Sequence, residues 1–229
     1  MRKAVITIDD SPSPITNEIV TYLKVHNIFC IFFCIGKKMQ ENESIIDRII
    51  NSGCVIGNHS YSHQSFSNLS LSECKKEILK TEEVIEYAYS RNNVQRPMKC
   101  FRFPYGDKGG DKRSELQEYL RIMGFNGLDE LRITYDWYHD NFLDSDKDVF
   151  WTFDCMDYLI SVEGSNFNSE NVRKHLIDKN PANGGVLVTG ISDEIILLHD
   201  NEKTAIQYPR YYEDLISRIE QMGLVLKAM

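Results

Sequence analysis

The rhythm of this chain limits its fold more than any other feature. Short apolar runs rich in β-branched and aromatic residues recur between longer stretches with helical apolar spacing. Runs at 4–8, 28–35, 54–56, 100–103, 149–153, 186–188, 195–198 and 224–226 read as strands. Stretches 15–26, 43–51, 71–89, 112–123, 168–179 and 211–222 read as amphipathic helices. Ser70, Asp111 and Ser169 stand where N-caps belong, and Gly53, Gly124 and Gly223 where helices stop. Strands separated by helices imply βα units, a largely parallel sheet and right-handed crossovers. The fold class is therefore α/β, as a barrel or an open doubly wound sheet. With 229 residues and no repeat or low-complexity tract, one domain over 1–229 is expected.

Charge and hydropathy exclude some partners. The chain carries 34 Asp and Glu against 26 Lys and Arg, a formal charge of −8, which argues against nucleic acid as a ligand. Its longest apolar run, 28–35, is far short of the ~18 residues a transmembrane helix needs. Only a short apolar run separates Lys3 from Asp9, too little for a secretory signal. The sequence as it stands thus reads as cytoplasmic, and as extracytoplasmic if a leader is missing. The six cysteines lack a Cys-x-x-Cys pair, and several lie inside apolar runs, so buried free thiols are expected. Residues 126–148 break the rhythm: seven acidic residues stand among Tyr135, Trp137 and Tyr138. This stretch reads as an insertion folded over one face.

In α/β folds, reactive side chains gather at the carboxyl ends of strands. The first strand ends in Asp9-Asp10-Ser11-Pro12, where one carboxylate could hold a metal while its neighbour faces a water. The third leads into Gly57-Asn58-His59-Ser60-Tyr61-Ser62-His63, whose imidazoles at i and i+4 can share a cation. Two neutral imidazoles and one carboxylate make a three-ligand site with open positions, the form in which catalytic Zn²⁺ is held. The same triad also accepts Fe²⁺, Co²⁺ or Ni²⁺. Arg102-Phe103-Pro104-Tyr105-Gly106 offers a guanidinium and a stiff turn, Asp154-Cys155-Met156-Asp157-Tyr158 a pair of acids, and Leu197-Leu198-His199-Asp200 a strand-end histidine. Each segment is also compatible with an ordinary loop or a structural ion pair.

In order and spacing these segments resemble the five motifs of the polysaccharide deacetylase family, carbohydrate esterase family four. Thr7-Ile8-Asp9-Asp10-Ser11-Pro12 resembles Thr-Phe-Asp-Asp-Gly-Pro, and Gly57 to His63 resembles Gly-Asn-His-Thr-x-x-His. Arg102 to Gly106 matches Arg-x-Pro-Tyr, Asp154 to Tyr158 resembles Asp-x-x-Asp-Trp, and Leu197 to Asp200 matches Leu-x-His-Asp. The resemblance implies a distorted (β/α)7 barrel-like domain, with 126–148 inserted between the third and fourth motifs. It implies metal-dependent removal of N-acetyl groups from amino sugars such as chitooligosaccharide or peptidoglycan. Asp10, His59 and His63 would hold the metal. Asp9 would be the general base, Arg102 its orienting partner, and His199 the general acid held by Asp157. The Tyr105 N–H would help bind the oxyanion. Pro104, Tyr105, Tyr158 and Leu198 are expected at the sugar, with Trp137 or Tyr138 of the insertion as a platform.

The chain departs from the family pattern at Ser11, where glycine is usual, at Tyr158, where tryptophan is usual, and in the insertion. Two other activities compete with N-deacetylation: hydrolysis of a formyl-sugar or small cyclic amide, and non-catalytic glycan binding. The second would be expected in a chain that had lost Asp9, a metal ligand or His199, and all are present.

Overall fold

The apolar run at the N terminus becomes the central strand of a parallel sheet. In the computed structural model, which describes residues 1–180 and 184–229, β1 is Arg2–Ser11, and its neighbours are β2 (Cys30–Cys34) and β5 (Glu194–His199). Beyond β2 lies β3 (Val55–Asn58), and beyond β5 lies β4 (Phe153–Asp154). The short β6 (Leu224–Leu226) pairs with the start of β1. All five of these pairings are parallel.

The two edges of the sheet are linked through residues 100–102 and 149–152. The Asn58 N–H donates to the Cys100 carbonyl at 2.9 Å, the Arg102 N–H returns to the Asn58 carbonyl at 3.0 Å, and Val149 N–H donates to the Phe101 carbonyl at 2.8 Å. Three residues on, Thr152 N–H reaches the Ile195 carbonyl of β5 at 2.9 Å. The α/β class and its barrel-like curl are as expected, but the strand count differs. The described residues form six strands, with Phe101 contributing an isolated bridge where a full strand at 100–103 was expected. Pro104 ends that segment after only a few residues, since it has no N–H to donate. Residues 186–188 run into a turn at 187–189 and form no strand; the Val186 and Leu187 carbonyls accept from the Arg2 guanidinium.

The helices α1 (Thr16–Val25), α2 (Gly36–Glu41), α3 (Glu43–Ser52), α4 (Leu71–Arg91), α5 (Arg113–Ile122), α6 (Asp136–Asp140), α7 (Ser169–Leu176), α8 (Glu202–Gln207) and α9 (Tyr211–Gln221) complete the domain. Ser70 caps α4 reciprocally with Glu73, as its spacing predicts. Asn168, not Ser169, caps α7, and Lys112 rather than Asp111 precedes α5. The short helices α2 and α8 are too polar to show a periodic apolar stripe. No helix among the described residues is long and apolar enough to cross a membrane.

Period-two alternation divides the strands between two environments. Ile6, Ile8, Phe32, Ile56, Ile196 and Leu198 face out and pack in one cluster with apolar residues of the surrounding helices. Val5, Ile31, Phe33, Val55 and Ile195 form a second cluster inside the curl of the sheet. A Cβ on Gly57 would lie 2.6 Å from the Phe33 ring, so only glycine leaves room for that aromatic. Along the inner face of β1 and β5 the register pairs Val5 with Ile195, Thr7 with Leu197, and Asp9 with His199. The layer thus changes from apolar to ionisable toward the carboxyl ends of the strands.

The insertion lies at the other end. Leu128 joins the inner cluster beside Val5 and Ile195, Arg132 N–H donates to Asp193 at 2.9 Å, and the Tyr135 hydroxyl donates to the buried Glu194 that opens β5. Two of its acids are held by basic partners outside it: Lys108 pairs with Asp146 at 2.6 Å and Asp148 at 2.9 Å, and Arg113 with Asp146 at 2.8 Å. The six cysteines are buried free thiols, as expected.

Candidate active site

Adjacent residues on a regular strand point to opposite faces, yet both carboxylates of Asp9-Asp10 approach one imidazole. A β-bulge makes this possible. Between Ile8 and Ser11, β1 carries one more residue than β2 opposite it, and Asp10 adopts the left-handed conformation at φ 68°. As a result His59 Nε2 stands 3.6 Å from Asp9 Oδ2 and 3.6 Å from Asp10 Oδ1, while His63 Nε2 is 3.0 Å from Asp10 Oδ1.

The ring orientations follow from the other nitrogens. His59 Nδ1 is 2.9 Å from the Arg102 carbonyl, which can only accept, so Nδ1 carries the proton and Nε2 presents a lone pair. His63 Nδ1 is 3.2 Å from the Tyr105 hydroxyl. Burial holds the His59 pKa below its ordinary value despite the nearby Asp9 carboxylate, which keeps the ring neutral. Burial alone would raise the Asp10 pKa, but the two imidazoles hold it well below the usual carboxylate range. Asp10 Oδ1 is buried, and its polar neighbours are the two imidazole nitrogens, His63 Nε2 at 3.0 Å and His59 Nε2 at 3.6 Å. A buried anionic oxygen facing two imidazole nitrogens, all within 4.8 Å of one another, fits a divalent cation.

Asp9 is held from behind. Arg102 is 1% exposed and donates through Nη1 to Asp9 Oδ1 and to Thr7 Oγ1, each at 2.8 Å, while its Nε donates to the Val149 carbonyl at 2.8 Å. The guanidinium lies over the Phe33 ring, 4.2 Å from its centroid. These contacts leave the Asp9 carboxylate little freedom to turn.

The opposite wall is His199. Its Nδ1 is 3.3 Å from Asp157 Oδ1, its backbone N–H donates to Asp157 Oδ2 at 3.2 Å, and the Tyr211 hydroxyl donates to its carbonyl. Burial would lower the His199 pKa. The Asp157 carboxylate, with Asp154 and Asp10 further off, overrides that and raises it to about 10. Asp154 also faces this wall, and burial raises its pKa.

These groups share a cavity of about 290 Å³, lined also by Tyr105, Trp151, Tyr158, Ser161, Val162 and Asn201. The Tyr158 ring centroid is 4.7 Å from that of His199. Tyr105 is 70% exposed at the rim, at φ 59°. Three expected substrate contacts lie elsewhere. Leu198 is buried against the outer helices, because the alternation that points His199 inward points its neighbour outward; Leu197, two residues before His199, lines the cavity instead. Pro104 is buried outside the lining. Trp137 is also absent from the lining, because the insertion packs at the far end of the strands, where its indole stacks on Tyr135. The tryptophan in the cavity is Trp151, which rests against Gly106, where a Cβ would come within 2.8 Å of the indole.

The polysaccharide deacetylase family profile matches residues 1–123. Over 103 residues the chain is 38% identical to a peptidoglycan-N-acetylglucosamine deacetylase of Bacillus cereus, a match covering 44% of this chain and 36% of that protein. The fold is similar to a solved peptidoglycan N-acetylglucosamine deacetylase, with a TM-score of 0.64 at 21% identity, covering 97% of this chain and 84% of that one. It is also similar to a family pseudoenzyme from Bacillus anthracis, with a TM-score of 0.61 at 20% identity, covering 98% of this chain and 62% of that one. The fold is therefore shared by an enzyme and a pseudoenzyme, and the chemistry has to be argued from side chains. With the family profile matching more than half of its length, this chain belongs to the polysaccharide deacetylase family.

Proposed function

We propose that the protein is a metal-dependent hydrolase that removes N-acetyl groups from N-acetylated amino sugars in chitooligosaccharides, peptidoglycan or a related glycan. The observation that carries this reading is the bulge at Asp9-Asp10. It lets one carboxylate join His59 and His63 while the other, fixed by Arg102, stays beside them opposite His199.

Asp10, His59 and His63 would hold a divalent cation, with Zn²⁺ the first choice for two imidazoles and a carboxylate. Such a cation supplies Lewis acidity and lowers the pKa of a water from ~15.7 toward ~7. Asp9 would take the proton of the attacking water, a role worth about 10²–10⁴-fold. Arg102 keeps the Asp9 carboxylate aimed at the cavity. The Tyr105 N–H at the rim is the candidate donor to the oxyanion, and His199 would deliver a proton to the leaving nitrogen. The Asp157 carboxylate keeps His199 protonated at neutral pH, which this acid role requires. Tyr158 and Trp151 offer apolar walls to a sugar ring, and Leu197 an apolar floor.

The test is acetate release from N-acetylglucosamine oligomers and peptidoglycan fragments, run beside formyl-sugar and cyclic amide substrates. Acetate from the oligomers, with no turnover of the other two, is the expected result. Turnover of only a formyl or cyclic amide would replace this reading.

A further inference from the structure

The three side chains of the candidate cation site come from two segments far apart in sequence, and a third segment ties them together. The turn from β2 into α2, residues 34–38, contacts both. Ile35 N–H donates to the Ser11 carbonyl at 2.9 Å, one residue beyond Asp10. Gly36 N–H donates to the Ser60 carbonyl and Lys37 N–H to the Tyr61 carbonyl, both at 3.0 Å, inside the loop from His59 to His63. The His59 N–H donates to the Cys34 carbonyl at 3.0 Å. Gly36 is required for this closeness, since a Cβ there would meet Thr81 Oγ1 at 2.5 Å and the Tyr61 ring at 2.9 Å. The last tie is made by a side chain: Lys38 Nζ donates to the backbone carbonyl of Asp10 at 2.7 Å.

This carbonyl belongs to a residue that rarely stays where it is found. A non-glycine residue in the left-handed region is strained and persists only where its surroundings over-determine it. At Asp10 the strain serves to bring the carboxylate onto the same side as Asp9. The ammonium of Lys38 grips the peptide that must be turned.

We propose that Lys38 is a positioning residue for the Asp10, His59 and His63 triad, acting by holding the Asp10 peptide so that the carboxylate faces the two imidazoles before a cation binds. This rests on the cation-binding reading of the triad. It makes a prediction opposite in sign to simple electrostatics. Lys38 is itself a cation near a cation site, so removing its charge should by Coulomb's law tighten metal binding. Loss of positioning should weaken it, as loss of a supporting partner around a metal ligand typically does by 10–100-fold.

The experiment compares Zn²⁺ affinity, by competition with a chromogenic chelator, in wild type, Lys38→Met, Lys38→Arg and Asp10→Asn. Circular dichroism and thermal melting of the metal-free proteins check that each variant folds. The expected result is an affinity loss of about tenfold or more in Lys38→Met, with most of it recovered in Lys38→Arg. Unchanged or tighter Zn²⁺ binding in a folded Lys38→Met would overturn the proposal. Should Lys38→Met not fold, Lys38→Gln, whose amide ends one bond short of the position Nζ holds against the Asp10 carbonyl, carries the same expected loss and the same contrary result. If wild type and Asp10→Asn bind Zn²⁺ equally weakly, the triad reading itself fails, a result distinct from failure at Lys38.

Discussion

Asp9 on β1 and His199 on β5 are partners in register, and each is held by an oppositely charged group. Arg102 pairs with Asp9 at 2.8 Å, and Asp157 stands 3.3 Å from the His199 ring. The two residues thus form a carboxylate and an imidazolium on facing strands, with the Asp10, His59 and His63 cluster beside them. A positioned carboxylate and a facing imidazole are what hydrolysis of an amide needs, one for the water and one for the departing nitrogen.

Asp9→Asn keeps the shape of the side chain and removes its ability to take a proton. We expect kcat/KM for acetate release to fall by about 10²–10⁴-fold with bound metal retained. Kinetics and metal analysis on the same sample check this. Undiminished activity would remove Asp9 from the mechanism.

The acid limb of the mechanism has a definite sign. His199 acts in its protonated form, so activity declines as pH rises through its pKa, which Asp157 raises to about 10 in the metal-free protein. A cation at Asp10 would repel the imidazolium and draw that limb downward. Asp157→Asn removes the main raising influence and leaves burial, which lowers the value, opposed only by the weaker pull of Asp154 and Asp10. The alkaline limb of the pH profile of kcat/KM in Asp157→Asn should therefore lie below that of wild type; a limb at the same or higher pH would contradict the pairing.

The two tryptophans should separate cleanly. Trp151 lines the cavity, so Trp151→Ala should lower kcat/KM on oligomeric substrates by up to roughly tenfold, the scale of an aromatic contact of about 0.5–1.5 kcal/mol. Trp137→Ala should leave kcat/KM unchanged, since that indole packs on Tyr135 at the opposite end of the strands. Parallel substrate titrations of both variants check the contrast.

Gly57→Ala tests the packing beneath the site. Its added methyl group would press on Phe33, whose ring supports the Arg102 guanidinium. Overpacking of this kind costs about 1–3 kcal/mol. A lower thermal midpoint, accompanied by loss of activity through Arg102, is the expected outcome.

Most of the site could be read from sequence because its residues sit at strand ends, where short apolar runs stop at Asp9, His59 and His199. Leu197 was equally readable, since alternation from His199 selects it over Leu198. The bulge was not, because nothing in Asp9-Asp10-Ser11 signals that β1 carries one residue more than β2. Trp137 was misplaced for a related reason: aromatic composition marks a residue that packs, while its partner, the buried Glu194 bound by neighbouring Tyr135, becomes visible only in three dimensions. Helix α2 escaped because Lys37, Lys38 and Gln40 give it no apolar stripe, yet it supplies the turn that joins the two segments of the triad.

The proposed chemistry needs a cation at Asp10, His59 and His63 working with Asp9. Its most direct test is acetate release from N-acetylglucosamine oligomers by protein stripped with a chelator and then titrated with Zn²⁺. We predict loss of acetate release on stripping and its return at one Zn²⁺ per chain, with no return in a folded His59→Ala variant. Full acetate release from the metal-free protein, or equal recovery in His59→Ala, would contradict it.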